Sequence, residues 1–124
     1  MKAVLDTNIL VDYLLGLEQA KEEMARYEGL AISIITWMEV LVGARDEAEA
    51  ETLRSFLEGF EVLPLDAQIA NRAVDIRRST RIRLPDAVVW ASAQARGLLL
   101  VTRNTRDFPP GDPGVRVPYQ VRPA

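Results

Sequence analysis

Short apolar runs alternate along this chain with longer stretches in which apolar residues recur every three or four positions. The runs are KAVL at 2–5, the isoleucine-rich segment 30–35, 60–63 and 98–102, with a last short one at 115–118. Apolar residues dominate each run and do not alternate with polar ones, the pattern of strands covered on both faces. The intervening stretches read as helices over 8–15, 18–28, 36–44, 46–58, 67–79 and 85–96. Gly16, Gly29, Gly59 and Gly97 stand where four of these should stop, Asp66 stands where one should be capped, and Pro85 suits a first helical turn. Strands of this kind separated by helices predict an α/β fold of three layers. Its central, mostly parallel sheet of about five strands is flanked by helices. No repeat, linker or low-complexity segment divides residues 1–124, so one domain is expected.

In such a sheet the functional crevice opens beyond the carboxyl ends of the strands. Four patches with chemical potential fall at seams between strand and helix or in a loop beyond a strand: LDTN at 5–8, TWMEV at 36–40, LPDA at 84–87 and VTRNTRDF at 101–108. Each contains an acid: Asp6, Glu39, Asp86 and Asp107. Every one also has an ordinary structural role open to it. Asp6 could cap a helix, although Thr7 and Asn8 could do so in its place. Thr36 and Glu39 have the spacing of a capping box. Asp86 would be favoured by the amides of a first helical turn. Asp107 could shape a loop, and Asn104 could either shape a turn or offer a neutral oxygen ligand. Trp37, Met38, Val42 and Trp90 are candidates for core or interface, with core favoured by their size and apolarity.

Composition sharpens the choice. The chain has 124 residues, 48% of them hydrophobic and 27% charged, with no cysteine and no histidine. Thiolate and imidazole chemistry are therefore closed to it. A site built from carboxylates alone points to a hard divalent ion such as magnesium or manganese. Acids gathered on one rim would repel one another, and their pKa values would rise unless a cation compensated. Lacking an apolar stretch of spanning length, and with only a three-residue apolar run before Asp6, the chain is expected to be cytoplasmic. The net charge of −3 conceals an asymmetry. Residues 1–66 carry five bases and fourteen acids, whereas residues 67–124 carry ten arginines and four acids. Arg77, Arg78, Arg81 and Arg83 form a cluster that suits phosphate as well as it suits a solvated helix face.

Taken together and in order, LDTN, T-x-x-E at 36–39, PDA at 85–87 and GLLLVTRNTRDF at 97–108 resemble the PIN domain family. Within it they are most similar to the VapC toxins of type II toxin–antitoxin pairs, and the resemblance spans essentially the whole chain. It implies a parallel sheet flanked by helices, an acidic pocket holding magnesium or manganese, and hydrolysis of RNA to 5′-phosphate and 3′-hydroxyl ends. Asp6, Glu39 and Asp86 match the three core acids. The fourth comes from the loop after the last main strand, where Asn104 stands at the family's first acidic position and Asp107 is the candidate to complete the site. Thr7, Asn8, Thr102 and Asn104 resemble the polar residues supporting the pocket. Arg103 is expected near substrate phosphate by the resemblance, and Arg81 and Arg83 of the arginine cluster are further candidates for that contact. A homodimer and a VapB-like antitoxin, whose helical segment lies along the toxin, are the implied partners.

Three rivals remain. A phosphatase with an aspartate nucleophile wants a second aspartate two residues after the first, where this chain has Asn8. A phospho-receiver domain wants a late lysine, and the last lysine here is Lys21. A catalytically inactive module that uses its acidic pocket only to pair with another protein is the third.

Overall fold

The computed structural model describes residues 1–121. Five strands and six helices follow one another as β1 (Lys2–Leu5), α1 (Thr7–Leu14), α2 (Glu18–Met24), β2 (Gly29–Ser33), α3 (Ile34–Val42), α4 (Glu47–Leu57), β3 (Glu61–Leu63), α5 (Ala67–Ser79), α6 (Leu84–Arg96), β4 (Leu99–Val101) and β5 (Val115–Arg116). The strands form one sheet in the order β3-β2-β1-β4-β5, and all four pairings are parallel.

Strand side chains point alternately to the two faces of a sheet, and both faces are covered here. Val4 and Leu100 lie in one core with Ala87, Val88, Ala91 and Phe108, under α5 and α6. Ala3, Leu5 and Val101 lie in the other with Ile9, Leu10, Val40 and Leu57, under α1, α3 and α4. This is why apolar residues dominate the strands, with the charged Lys2, Glu61 and Arg116 only at strand ends. Phe108 is fully buried and meets Trp90 edge-on, with ring centroids 5.8 Å apart. Among the described residues, no helix is long and apolar enough to cross a membrane.

The chain adds β2 and then β3 on one side of β1, later returning to place β4 and β5 on the other. The order therefore reverses between β1 and β4, and the crevice beyond their carboxyl ends is the place for a ligand. Leu5 pairs with Val101 in the last register position, and Asp6 N–H continues the ladder by donating to Val101 O at 2.9 Å. Asp6 and Thr102 are thereby held side by side on that rim.

Most boundaries shift from expectation by one or two residues, and two of the differences have a clear cause. The second strand ends at Ser33 and the helix starts at Ile34, two residues before Thr36. Ser33 Oγ accepts from Ile35 N–H, so the serine inside the isoleucine-rich run is the true cap. The second helix stops at Met24 rather than at Gly29: Arg26 and Tyr27 N–H reach back only three residues, to Glu23 O and Met24 O, Glu28 N–H is bonded to Met1 O, and Gly29 starts β2. Met38 and Val42 are 44% and 84% exposed and belong to the surface. Trp90 is buried, and Trp37 packs half-buried against the core. Gly97 closes α6 with φ of 63°, a conformation that costs glycine little and other residues more.

Candidate active site

Asp6 caps α1, its Oδ1 accepting from Thr7 N–H at 2.8 Å. The role that Thr7 or Asn8 could have taken thus belongs to Asp6. Its other oxygen accepts from the fully buried Thr102 hydroxyl at 2.7 Å and from Asn8 Nδ2 at 3.3 Å. The network extends outward. Asn104 N–H donates to Thr102 Oγ1 at 2.9 Å, and Arg103 N–H donates to Asn8 Oδ1 at 3.1 Å. Asn104 Nδ2 donates to Asp107 Oδ2 at 2.9 Å, while Asp107 N–H returns to Asn104 Oδ1 at 3.2 Å. Asn104 and Asp107, the two candidates for one position, are thus hydrogen-bonded to each other.

Glu39 is not part of a capping box. With α3 starting at Ile34, it lies in the second helical turn rather than the first. Its Oε1 accepts from the Thr7 hydroxyl at 2.6 Å, and that hydroxyl is also 3.1 Å from Thr36 Oγ1. Thr7 therefore links the start of α1 to α3 and turns Glu39 toward Asp6. Asp86, in the first turn of α6, has only 14% of its side chain exposed. Its buried Oδ2 has no hydrogen-bond partner. Arg83 Nη2 stands 3.6 Å away, beyond hydrogen-bond reach, on a side chain that is 81% exposed.

Electrostatics tie the four acids together. Burial pushes the Asp6 carboxyl from 3.8 to about 6 against the hydrogen bonds of Thr102 and Thr7, and the charges of Asp86 and Glu39 push in the same direction. Burial also raises Asp86, opposed by Arg83 and assisted by the charges of Asp107 and Glu39. Even so, among the described residues no three acids stand close enough to hold a metal ion as they are arranged. Glu39 is drawn to Thr7 and Asp107 to Asn104. The donor set still suits a hard cation. It consists of carboxylate oxygens, one of them buried without a hydrogen bond and faced only by the exposed Arg83, and a buried polar atom left without a hydrogen bond is costly.

The arginines divide. The family resemblance puts Arg103 at substrate phosphate, but its guanidinium is committed within the protein. It makes a bidentate pair with buried Asp12, Nε to Oδ2 at 2.5 Å and Nη2 to Oδ1 at 2.9 Å, and the Tyr119 hydroxyl donates to the same carboxylate at 2.8 Å. Arg81 is exposed, as is Arg83 beside Asp86. Asp12 is not evident from the sequence. The one available signal is an acid on the same short helix as buried Ile9 and Leu10. Glu23 is equally hidden. It is buried against Arg116, at 2.7 and 3.0 Å, and Tyr27, at 2.6 Å. Burial would raise its pKa, but these hydrogen bonds and the Arg116 charge outweigh that and hold it below the usual value. Nothing in the acid-rich segment 18–28 marks Glu23 out from its neighbours.

The PIN domain family model matches residues 3–109. The chain belongs to the PIN domain family. Its relatives include ribonuclease VapC10 of Mycobacterium tuberculosis, 36% identical over 86% of this chain and 85% of the relative. Another is the tRNA(fMet)-specific endonuclease VapC of Shigella flexneri, 34% identical over 87% and 90%. Among solved structures, a toxin–antitoxin complex from Klebsiella pneumoniae contains a chain with 42% identity and a TM-score of 0.90, covering 96% of this chain and 99% of that one. The DNA-bound VapBC complex of Salmonella typhimurium gives 31% identity and a TM-score of 0.73, covering 94% and 96%. Asp6, Glu39, Asp86 and Asp107 all fall inside the matched PIN segment.

Proposed function

We propose that residues 1–124 form a single PIN domain acting as a metal-dependent endoribonuclease, the toxin of a cytoplasmic toxin–antitoxin pair. The observation that carries this reading is the buried Oδ2 of Asp86, which has no hydrogen-bond partner, together with the charge of Asp86 acting on a second buried acid, Asp6. Asp6, Glu39, Asp86 and Asp107 are the residues that would hold magnesium or manganese. A bound divalent ion offsets the acids' mutual repulsion, orients a phosphodiester and lowers the pKa of water. Thr102 and Asn8 fix the Asp6 carboxylate, Thr7 fixes Glu39, and Asn104 fixes Asp107. With no histidine in the chain, a carboxylate of this set must accept the proton of the attacking water. The products would be 5′-phosphate and 3′-hydroxyl ends.

A cleft of about 580 Å³ beside the site supports the antitoxin half of the reading. Val11 and Leu14 of α1 and Leu15 just after it line the cleft with Val40 and Leu53, and Glu39 of the acid site lines it too. Leu15 is 81% exposed. An amphipathic helix laid along these apolar residues would reach the acid pocket with its end. A homodimer completes the assembly proposed.

The test is manganese-dependent cleavage of RNA with end mapping, together with manganese calorimetry, on the parent, Asp6→Ala and Asp86→Ala. Both variants should stay folded, lose cleavage and lose metal uptake. Full activity in either one refutes the site. A parent that takes up manganese yet leaves all RNA intact while binding its antitoxin would mark an inactive pairing module instead.

A further inference from the structure

Asp107 is shared between the acid site and a second, smaller cavity of about 190 Å³. Two arginines from separate segments line that cavity: Arg81 in the connector between α5 and α6, and Arg106 in the loop after β4. Both are exposed, and among the described residues neither has a carboxylate within 4.0 Å. Asp107 stands in the same wall, but its carboxylate is hydrogen-bonded to Asn104 and pairs with neither guanidinium. Behind the arginines the wall is apolar, formed by buried Ile82 and by Trp90. This cavity is too small for a partner's helix, whereas the larger α1 cleft has room for one. Two unpaired guanidiniums in front of a small apolar wall match a ligand with a phosphate and a flat, weakly polar body, which is a nucleotide.

We propose that the Arg81–Arg106 cavity is the subsite for the nucleotide next to the scissile phosphate, its phosphate held by the two guanidiniums and its base laid on the Ile82–Trp90 wall. The assignment rests on the ribonuclease reading above and adds where the strand runs. A phosphodiester at the acid site has Asp107 on one side, and the adjoining nucleotide crosses that residue into the cavity. Arg81 and Arg106 share this cavity with Asp107, and Arg83 stands beside Asp86, so positive charge lies next to the acids and draws an anionic strand toward a site that would otherwise repel it.

The experiment is steady-state cleavage of a short single-stranded RNA in manganese by the parent, Arg81→Ala, Arg106→Ala and the double variant, with Arg78→Ala as an exposed arginine outside the cavity. Each cavity variant should raise KM about tenfold and leave kcat near the parent value, the low end for removing one charge-assisted hydrogen bond made equally before and during reaction, because both side chains are exposed. The slope of log affinity against log salt should become shallower by about 0.7 for each phosphate no longer held by a guanidinium. Removing the base on one side of the cleaved bond should raise the parent's KM, with no such effect on the other side. Unchanged KM and salt slope in the double variant overturn the phosphate assignment, and no effect of base removal on either side overturns the base assignment. Should the parent cleave nothing, the ribonuclease reading fails on its own. Fluorescence anisotropy with the same labelled strand then decides the subsite, which equal affinity of parent and double variant would overturn.

Discussion

Replacing Asp6 by asparagine should make the metal-free protein more stable at neutral pH while abolishing its activity. Asp6 is 5% exposed, and burial lifts its carboxyl from 3.8 to about 6. The folded state therefore binds this proton more tightly than the unfolded chain does. The stabilisation that follows is complete below the unfolded value, shrinks as pH rises between the two values and is gone above about 6. A difference of about two pK units corresponds to about 3 kcal/mol at about 1.4 kcal/mol each. At neutral pH the ionised, uncompensated carboxylate forgoes that amount. Asparagine keeps an oxygen for Thr7 N–H but turns its amide toward Thr102, a misfit costing about 1 kcal/mol. The net gain for Asp6→Asn is then about 2 kcal/mol near neutrality, or roughly 8 °C in Tm, and it disappears toward about pH 4. Urea unfolding with a chelator present, repeated across this range, measures it. Manganese at about a hundred times its Kd should reverse the order by stabilising the parent by about 2.7 kcal/mol and leaving the variant unchanged. An asparagine variant no more stable than the parent at neutral pH, or a gain that persists in acid, refutes the reasoning.

Other perturbations test the scaffold. Asp12→Ala strips Arg103 of both hydrogen bonds in a pair that is 9% exposed on the acid side and 26% on the arginine side. It should cost about 3 kcal/mol in urea unfolding, the low end for breaking a buried pair because Arg103 retains some solvent. The double variant Asp12→Ala/Arg103→Ala should cost less than the sum of the two single ones, and strict additivity would deny the pairing. Phe108→Ala removes a fully buried ring and its packing against Trp90, so a loss of about 3–5 kcal/mol in the same assay is expected. A loss below about 1 kcal/mol would mean that this side of the core is not packed as described.

The helices and strands were readable because their causes are local. Asp66 accepts from Ile69 N–H at 2.9 Å and caps the helix expected behind it, and Gly97 in the left-handed region ends α6 where a glycine should. The start of α3 shows the limit. Thr36 and Glu39 have the spacing of a capping box, yet both side chains meet Thr7, 29 and 32 residues away in sequence. A local rule cannot foresee a partner brought in by the sheet. Asp12 and Glu23 were invisible for the same reason, since their cations Arg103 and Arg116 lie 91 and 93 residues further along the chain.

By itself the sequence determined the layers and the available chemistry. Apolar strands must be covered on both faces, and a chain without histidine or cysteine can offer a cation only oxygen. Only the tertiary structure decided which acids are buried, which share a field and which arginine is free. It places Asp6 beside Thr102 because β1 and β4 are neighbours at the reversal of the sheet, leaves Asp86 Oδ2 without a hydrogen bond, and withdraws Arg103 to Asp12. Burial and charge coupling are properties of distances in space, and strand order sets those distances between residues far apart in the chain.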